Sequence, residues 1–220
     1  MDERGDWVSK REWIINPGIP MPEGAAAVHG MTTEWLAEHG RKDIRAALVE
    51  IWGIILQECV GNRVPIVIYN APYDLTMLGH ELERVGISGY LQYSQIIKTM
   101  RVYDPLVIDK ELYRYRKGSG MRKLVAVAPI YDVPVEADAH DAGADCLMTG
   151  RVLLRQLLLS PSVNNEQQAS WKAEQARSLQ AWFHSVKAGE RQDTSVFINP
   201  GWPLQAAEPI EIETERNAAA

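Results

Sequence analysis

Two short stretches of this sequence carry carboxylates and an imidazole, the side chains that hold hard divalent cations and move protons near neutral pH. The first is Asn70-Ala71-Pro72-Tyr73-Asp74 and the second is His140-Asp141-Ala142-Gly143-Ala144-Asp145. Each also has a plain structural reading. Pro72 suits the first position of a helix, because its missing N–H would be unpaired there anyway. An acid in that first turn, Asp74, would complement the helix dipole by about 0.3–1 kcal/mol. His140 and Asp145 are five apart, and on a continuous helix they would point about 140° from each other. They serve one site only if Asp141 caps the helix, leaving His140 in the preceding loop and free to turn back over Asp145. Taken singly, His140 reads as a polar loop residue and Asp145 as a solvated first-turn acid.

The elements that must position these residues are legible in outline. Residues 64–69, Val-Pro-Ile-Val-Ile-Tyr, form a short β-branched run of the kind buried on both faces of a helix-covered sheet. A helix follows at once over 72–85, with Leu75, Leu78, Leu82 and Val85 as its stripe and Gly86 placed for a C-cap. Upstream, 7–16 reads as a strand, and Asn16-Pro17-Gly18 and residues 20–24 break regular structure. Thr32 or Thr33 can cap a short helix that stops at Gly40. Residues 41–60 read as a helix, with Ile44, Leu48, Ile51, Ile55 and Cys59 on one face. Downstream, a second buried strand is expected at 100–103, with helices at 109–116, 122–130, 141–159 and 164–187. The last has Trp171, Leu179, Trp182 and Val186 as its apolar side. Strand–helix alternation argues for α/β layers.

In order, the pieces say more than they do singly. A strand–Asn-Ala-x-Tyr-Asp–helix unit is followed 66 positions after Asp74 by a histidine, and then by an acid opening a long helix. This arrangement resembles the DEDDh (DnaQ-like) 3′–5′ exonucleases, a family that includes proofreading subunits of bacterial replicative polymerases. The resemblance runs over 7–159. Asn70 to Asp74 matches the family's second motif, with Tyr73 where Phe is usual, and His140 and Asp145 match its third. Ile15 to Gly18 and Ala27 to Thr32 resemble the segment between the first and second motifs.

The resemblance implies an α/β fold with an RNase H-like mixed sheet flanked by helices. It implies two Mg²⁺ or Mn²⁺ ions, with Asp74 and Asp145 among the metal ligands and His140 as general base toward the attacking water. His29, Met31, Asn70 and Tyr73 would lie toward the substrate. The implied partner is a single-stranded DNA 3′ end, with a DNA polymerase as a second. The family's first motif, a D-x-E ending the first strand, does not precede Asn70 here. Asp109-Lys110-Glu111 is the D-x-E present; it follows the second motif, and we read it as coincidence. The expectation is therefore an RNase H-like domain at 1–160 lacking its first one or two strands, with a start further upstream supplying the missing acids. The other reading is a non-catalytic nucleic-acid or polymerase-binding module: the trio Asp74, His140 and Asp145 favours the enzyme, and the missing D-x-E favours the module.

Lys110, Arg114, Arg116, Lys117, Arg122 and Lys123 cluster around Gly118-Ser119-Gly120, interleaved with Tyr113 and Tyr115. Such a loop either holds phosphates and stacks a base or is a solvated charged face; Arg116 and Lys117 are the substrate-contact candidates. The formal net charge is −6, which argues against a binder with a broad basic surface and leaves a local basic patch open. Cys59 and Cys146 lack metal-like spacing and read as buried free thiols. The polar N-terminus shows no secretory pattern and no apolar run approaches a membrane span, so the expected location is cytoplasmic. Residues 161–205 read as a C-terminal helical extension and 206–220 as a disordered tail.

Overall fold

The fold is taken from a computed structural model and described for residues 5–6, 8–116, 118–135, 142–185 and 193–206. Helices dominate. In chain order they are α1 Glu23–His29, α2 Thr33–His39, α3 Ile44–Ile55, α4 Ala71–Arg84, α5 Tyr90–Ile97, α6 Pro105–Leu112, α7 Leu124–Val127, α8 Ala142–Leu159 and α9 Asn165–His184. A π-helical turn, Leu56–Gly61, extends α3, and a 3₁₀ turn, Ala128–Tyr131, follows α7. Two short strands, β1 Ile66–Val67 and β2 Val102–Tyr103, pair in parallel with Ile66 opposite Val102 and Val67 opposite Tyr103.

The two edges of this ribbon are finished differently. On the outer side of β2, amide side chains of α9 take the place of a third strand. Asn165 Oδ1 accepts from Val102 N–H at 3.1 Å while its Nδ2 donates to Met100 C=O at 2.8 Å. Gln168 Oε1 accepts from Asp104 N–H at 2.8 Å and its Nε2 donates to Val102 C=O at 2.9 Å. Buried backbone polar groups must be paired, and here Asn165 and a fully buried Gln168 do it. Among the described residues no strand pairs the other edge of β1.

The main core joins α3, α4 and α5 below β1: Leu48, Trp52, Leu75, Leu82, Tyr93, Ile97 and Val102 are buried together, with Trp202 and Leu204 packed against them. Close packing leaves no room at Gly79, where an added Cβ would sit 2.6 Å from the Tyr93 ring. A second cluster, Val127, Tyr131, Met148 and Val152, joins α7 to α8 and takes in Tyr69. A third, Ile108, Leu153 and Val163, takes in Trp171 of α9.

Several sequence expectations are corrected. Residues 8–16 form no strand; they are mostly exposed, with one β-bridge, Ile15 to Arg41, and a hydrogen bond from Trp13 to Glu50. β1 is half-buried, not buried on both faces. The helix expected at 109–116 begins at Pro105 and ends at Leu112, since Asp104 caps it and proline occupies its first turn. α1 falls where only breaks were expected, and α5 where no helix was. Cys146 is exposed and Cys59 half-buried. Trp182 and Leu179 are exposed, at 48% and 42%.

Candidate active site

The first motif is built from β1 outward. Residues 66–68 run parallel to β2, with Ile68 N–H donating to Tyr103 C=O at 3.0 Å, and the chain then reverses at Asn70. Asn70 lies in the left-handed region, φ 70° and ψ 48°, a conformation that asparagine tolerates better than most non-glycine residues. What holds it there is Asp104, at the matching end of β2. Its Oδ1 accepts from Asn70 N–H and its Oδ2 from Ala71 N–H, both at 3.0 Å. Oδ1 also accepts from Leu106 N–H at 3.0 Å and Val107 N–H at 3.4 Å, capping α6. One fully buried carboxylate thus fixes the starts of two helices. Burial pushes its carboxyl above the usual range, and the four N–H donors oppose that rise.

The consequence is that α4 starts directly at the C-terminal end of β1, the strand end where ligands usually bind in such sheets. Asp74 sits in its first turn. Burial pushes the Asp74 carboxyl up as well, so an adjacent cation would favour its charged form. Tyr73, on the same turn, is 56% exposed, and Asn70 is half-buried.

The second motif is described from Ala142. Asp145, half-buried, lies in the first turn of α8, and α8 packs against β1 as well as against α6 and α7. The two acids therefore sit in the first turns of two helices, of which α4 follows β1 in the chain and α8 packs against it. His140 and Lys117 lie outside the described residues. Among the described residues, no three His, Cys, Asp or Glu side chains converge on one point. In kind, Asp74 and Asp145 suit a hard divalent ion, which is commonly held by one or two carboxylates together with substrate phosphates.

The remaining predicted residues fall in two places. His29 closes α1 and is exposed, and Met31 is half-buried beyond it. Arg116 turns inward: its guanidinium is only 10% exposed and pairs with Asp109 at 2.8 Å. Arg122 pairs with the other oxygen of Asp109 at 2.5 Å, and Tyr131 Oη donates to Asp109 at 3.1 Å. The acid of the Asp109-Lys110-Glu111 triplet is thus fully buried and committed to two arginines and a tyrosine. Reasoning from motifs missed this hub, and it missed Asp104 as a clamp. The Asp104-Pro105 pair did carry a signal, being a cap residue followed by proline at the first helical position.

No family model matches the chain. It is similar to an uncharacterized exonuclease, CP81, of Escherichia phage 186, with 29% identity over 141 residues. The matched stretch covers 62% of this chain and 66% of that relative, just under two thirds of its length.

Proposed function

We propose that this chain is a DEDDh-type 3′–5′ exonuclease domain, on an RNase H-like α/β scaffold, that removes nucleotides from DNA 3′ ends by two-metal-ion hydrolysis. The observation that carries the reading is the Asp104 clamp. It forces α4 to start at the end of β1 with Asp74 in its first turn, beside a strand on which the Asp145 helix also packs. That layout fits the order of the two motifs, and the exonuclease relative agrees with it in general terms.

In this reading Asp74 and Asp145 would hold Mg²⁺ or Mn²⁺. Such ions, when bound, activate water and stabilise the charge that develops on the phosphate and the leaving oxygen. His140, in the segment leading into α8, takes the proton of the attacking water, as an imidazole neutral near pH 7 can. Tyr73, exposed beside Asp74, and Asn70, at the turn, would contact the substrate. His29 and Met31 are the contacts assigned to the terminal nucleotide, and a DNA polymerase is the assigned protein partner.

The polarity is tested with a single strand labelled at one end or the other. With Mg²⁺ or Mn²⁺, a 5′ label yields a ladder of stepwise shorter products and a 3′ label is released at once as a mononucleotide. The reverse pattern, or cuts within the strand from the outset, would refute the assignment. A second reading, a non-catalytic nucleic-acid-binding module, is favoured by the lack of a converging group of three ligands among the described residues. It predicts strand binding with no shortening.

A further inference from the structure

The segment joining α6 to α7 is unusual for its surroundings. Between 113 and 123 the sequence carries five basic side chains and no acidic one, on a chain whose net charge is −6. Both ends of the segment are anchored on Asp109. Arg116 and Arg122, six positions apart, take one oxygen each of this fully buried carboxylate. Arg116 also donates to Met121 C=O at 3.2 Å, and Arg122 to Tyr113 C=O at 2.6 Å. Burying a carboxylate with two guanidinium groups is costly unless geometry and hydrogen bonding are good; here each guanidinium also satisfies main-chain carbonyls of the segment itself. The loop is therefore held in shape from beneath.

At the start of the loop, Tyr113 and Arg114 have partners and, among the described residues, Tyr115 does not. Tyr113 packs edge-on to Tyr131 and lies under the Arg116 guanidinium, 5.2 Å from ring centroid to Cζ. Arg114 is paired with Glu111 and Glu174. Tyr115, between them, is 90% exposed, and among the described residues it makes no hydrogen bond or ring contact. A large aromatic ring on an anchored cationic loop is thus left in water with its apolar face uncovered. The loop is also tied to the site: Tyr69 Oη donates to Arg122 C=O at 2.7 Å, and Tyr69 immediately precedes the Asn70 turn.

We propose that Tyr115 is a stacking platform for a base of single-stranded nucleic acid, with Asp109 as the positioning residue that presents it beside the end of β1. The class of ligand follows from the chemistry: a flat, exposed ring for a base face, on a loop without acidic residues whose Lys123 is exposed to phosphates. In this scheme Arg116 serves the strand through Asp109, by fixing the loop. The proposal deepens the nuclease reading and rests on it for the choice of ligand.

The test measures binding of a fluorescein-labelled oligothymidylate to the full chain in chelator, where cleavage is off. Tyr115→Ala should weaken binding about tenfold or more; Tyr115→Phe should bind like the parent, and all three should melt together, since this ring is in water. In metal-containing buffer, Tyr115→Ala should raise KM with kcat little changed. Equal affinity of all three proteins would overturn the proposal, as would equal weakening by Ala and Phe, which would point to the hydroxyl instead of the ring face. Failure of the parent to bind the strand would overturn it too, while stepwise shortening in the separate metal assay would leave the exonuclease reading standing.

Discussion

Asp104 spends both carboxylate oxygens on backbone N–H groups, and that use sets what its replacement should do. In Asp104→Asn the new Nδ2 would replace an oxygen, so Ala71 N–H or Asn70 N–H would face a donor in place of an acceptor. A buried donor left unpaired costs about 1–3 kcal/mol. We expect a loss of that size in urea unfolding, with the slope against denaturant unchanged; an unaltered midpoint would mean that the turn holds itself. Arg116 makes the complementary case. Removing one partner of a buried ion pair costs about 3–5 kcal/mol, and Arg122 remains to share the charge of Asp109. Arg116→Ala should therefore lose roughly 3 kcal/mol of stability, seen as a lowered thermal midpoint. A variant as stable as the parent but weak in strand binding would instead make Arg116 a direct phosphate contact.

At the level of elements, helix faces that bury apolar stripes were legible and faces that bury amides were not. The stripe of Leu75, Leu78, Leu82 and Val85 located α4 to within a residue at each end, because all four reach the main core. The inward face of α9 combines Trp171 and the buried Ala176 with Asn165, Gln168 and Gln175, which bond to the backbone of 100–107. Hydrophobic periodicity pointed to Trp171, which packs in the core, but also to Trp182 and Leu179, which lie on the solvent side. α5 was invisible for another reason: it spans only eight residues, and Gly89 caps it with no side chain. The partner for its buried Tyr93 is Gly79, where α4 and α5 touch. Gly79→Ala would improve helix propensity, but its methyl group would collide with the ring. Overpacking of this kind costs about 1–3 kcal/mol, so we expect a lower melting temperature; a rise would show that the α4–α5 contact can relax.

At the scale of the whole molecule, the chain is acidic in total and basic in one anchored loop, and that loop is tied through Tyr69 to the strand from which Asp74 springs. Among the described residues no helix is long and apolar enough to cross a membrane. α9 and the segment at 193–206 are built into the body: α9 seals β2, and Trp202 and Leu204 pack on the main core. The two carboxylates at the start of α4 and α8 were legible as residue types in order. The start of α4 at the end of β1 was not, since it depends on Asp104 turning the chain at Asn70, a contact across 34 positions that no local pattern announces.

The most direct measurement is metal-dependent shortening of a 5′-labelled single strand by the parent chain, Asp74→Ala and Asp145→Ala, with a melting curve for each. If these two carboxylates hold the metal, the parent shortens the strand stepwise from the 3′ end with Mg²⁺ or Mn²⁺. Each variant stays folded and loses that activity by orders of magnitude. Folded variants that shorten the strand as fast as the parent, or a folded parent that binds the strand and never shortens it, would contradict the account.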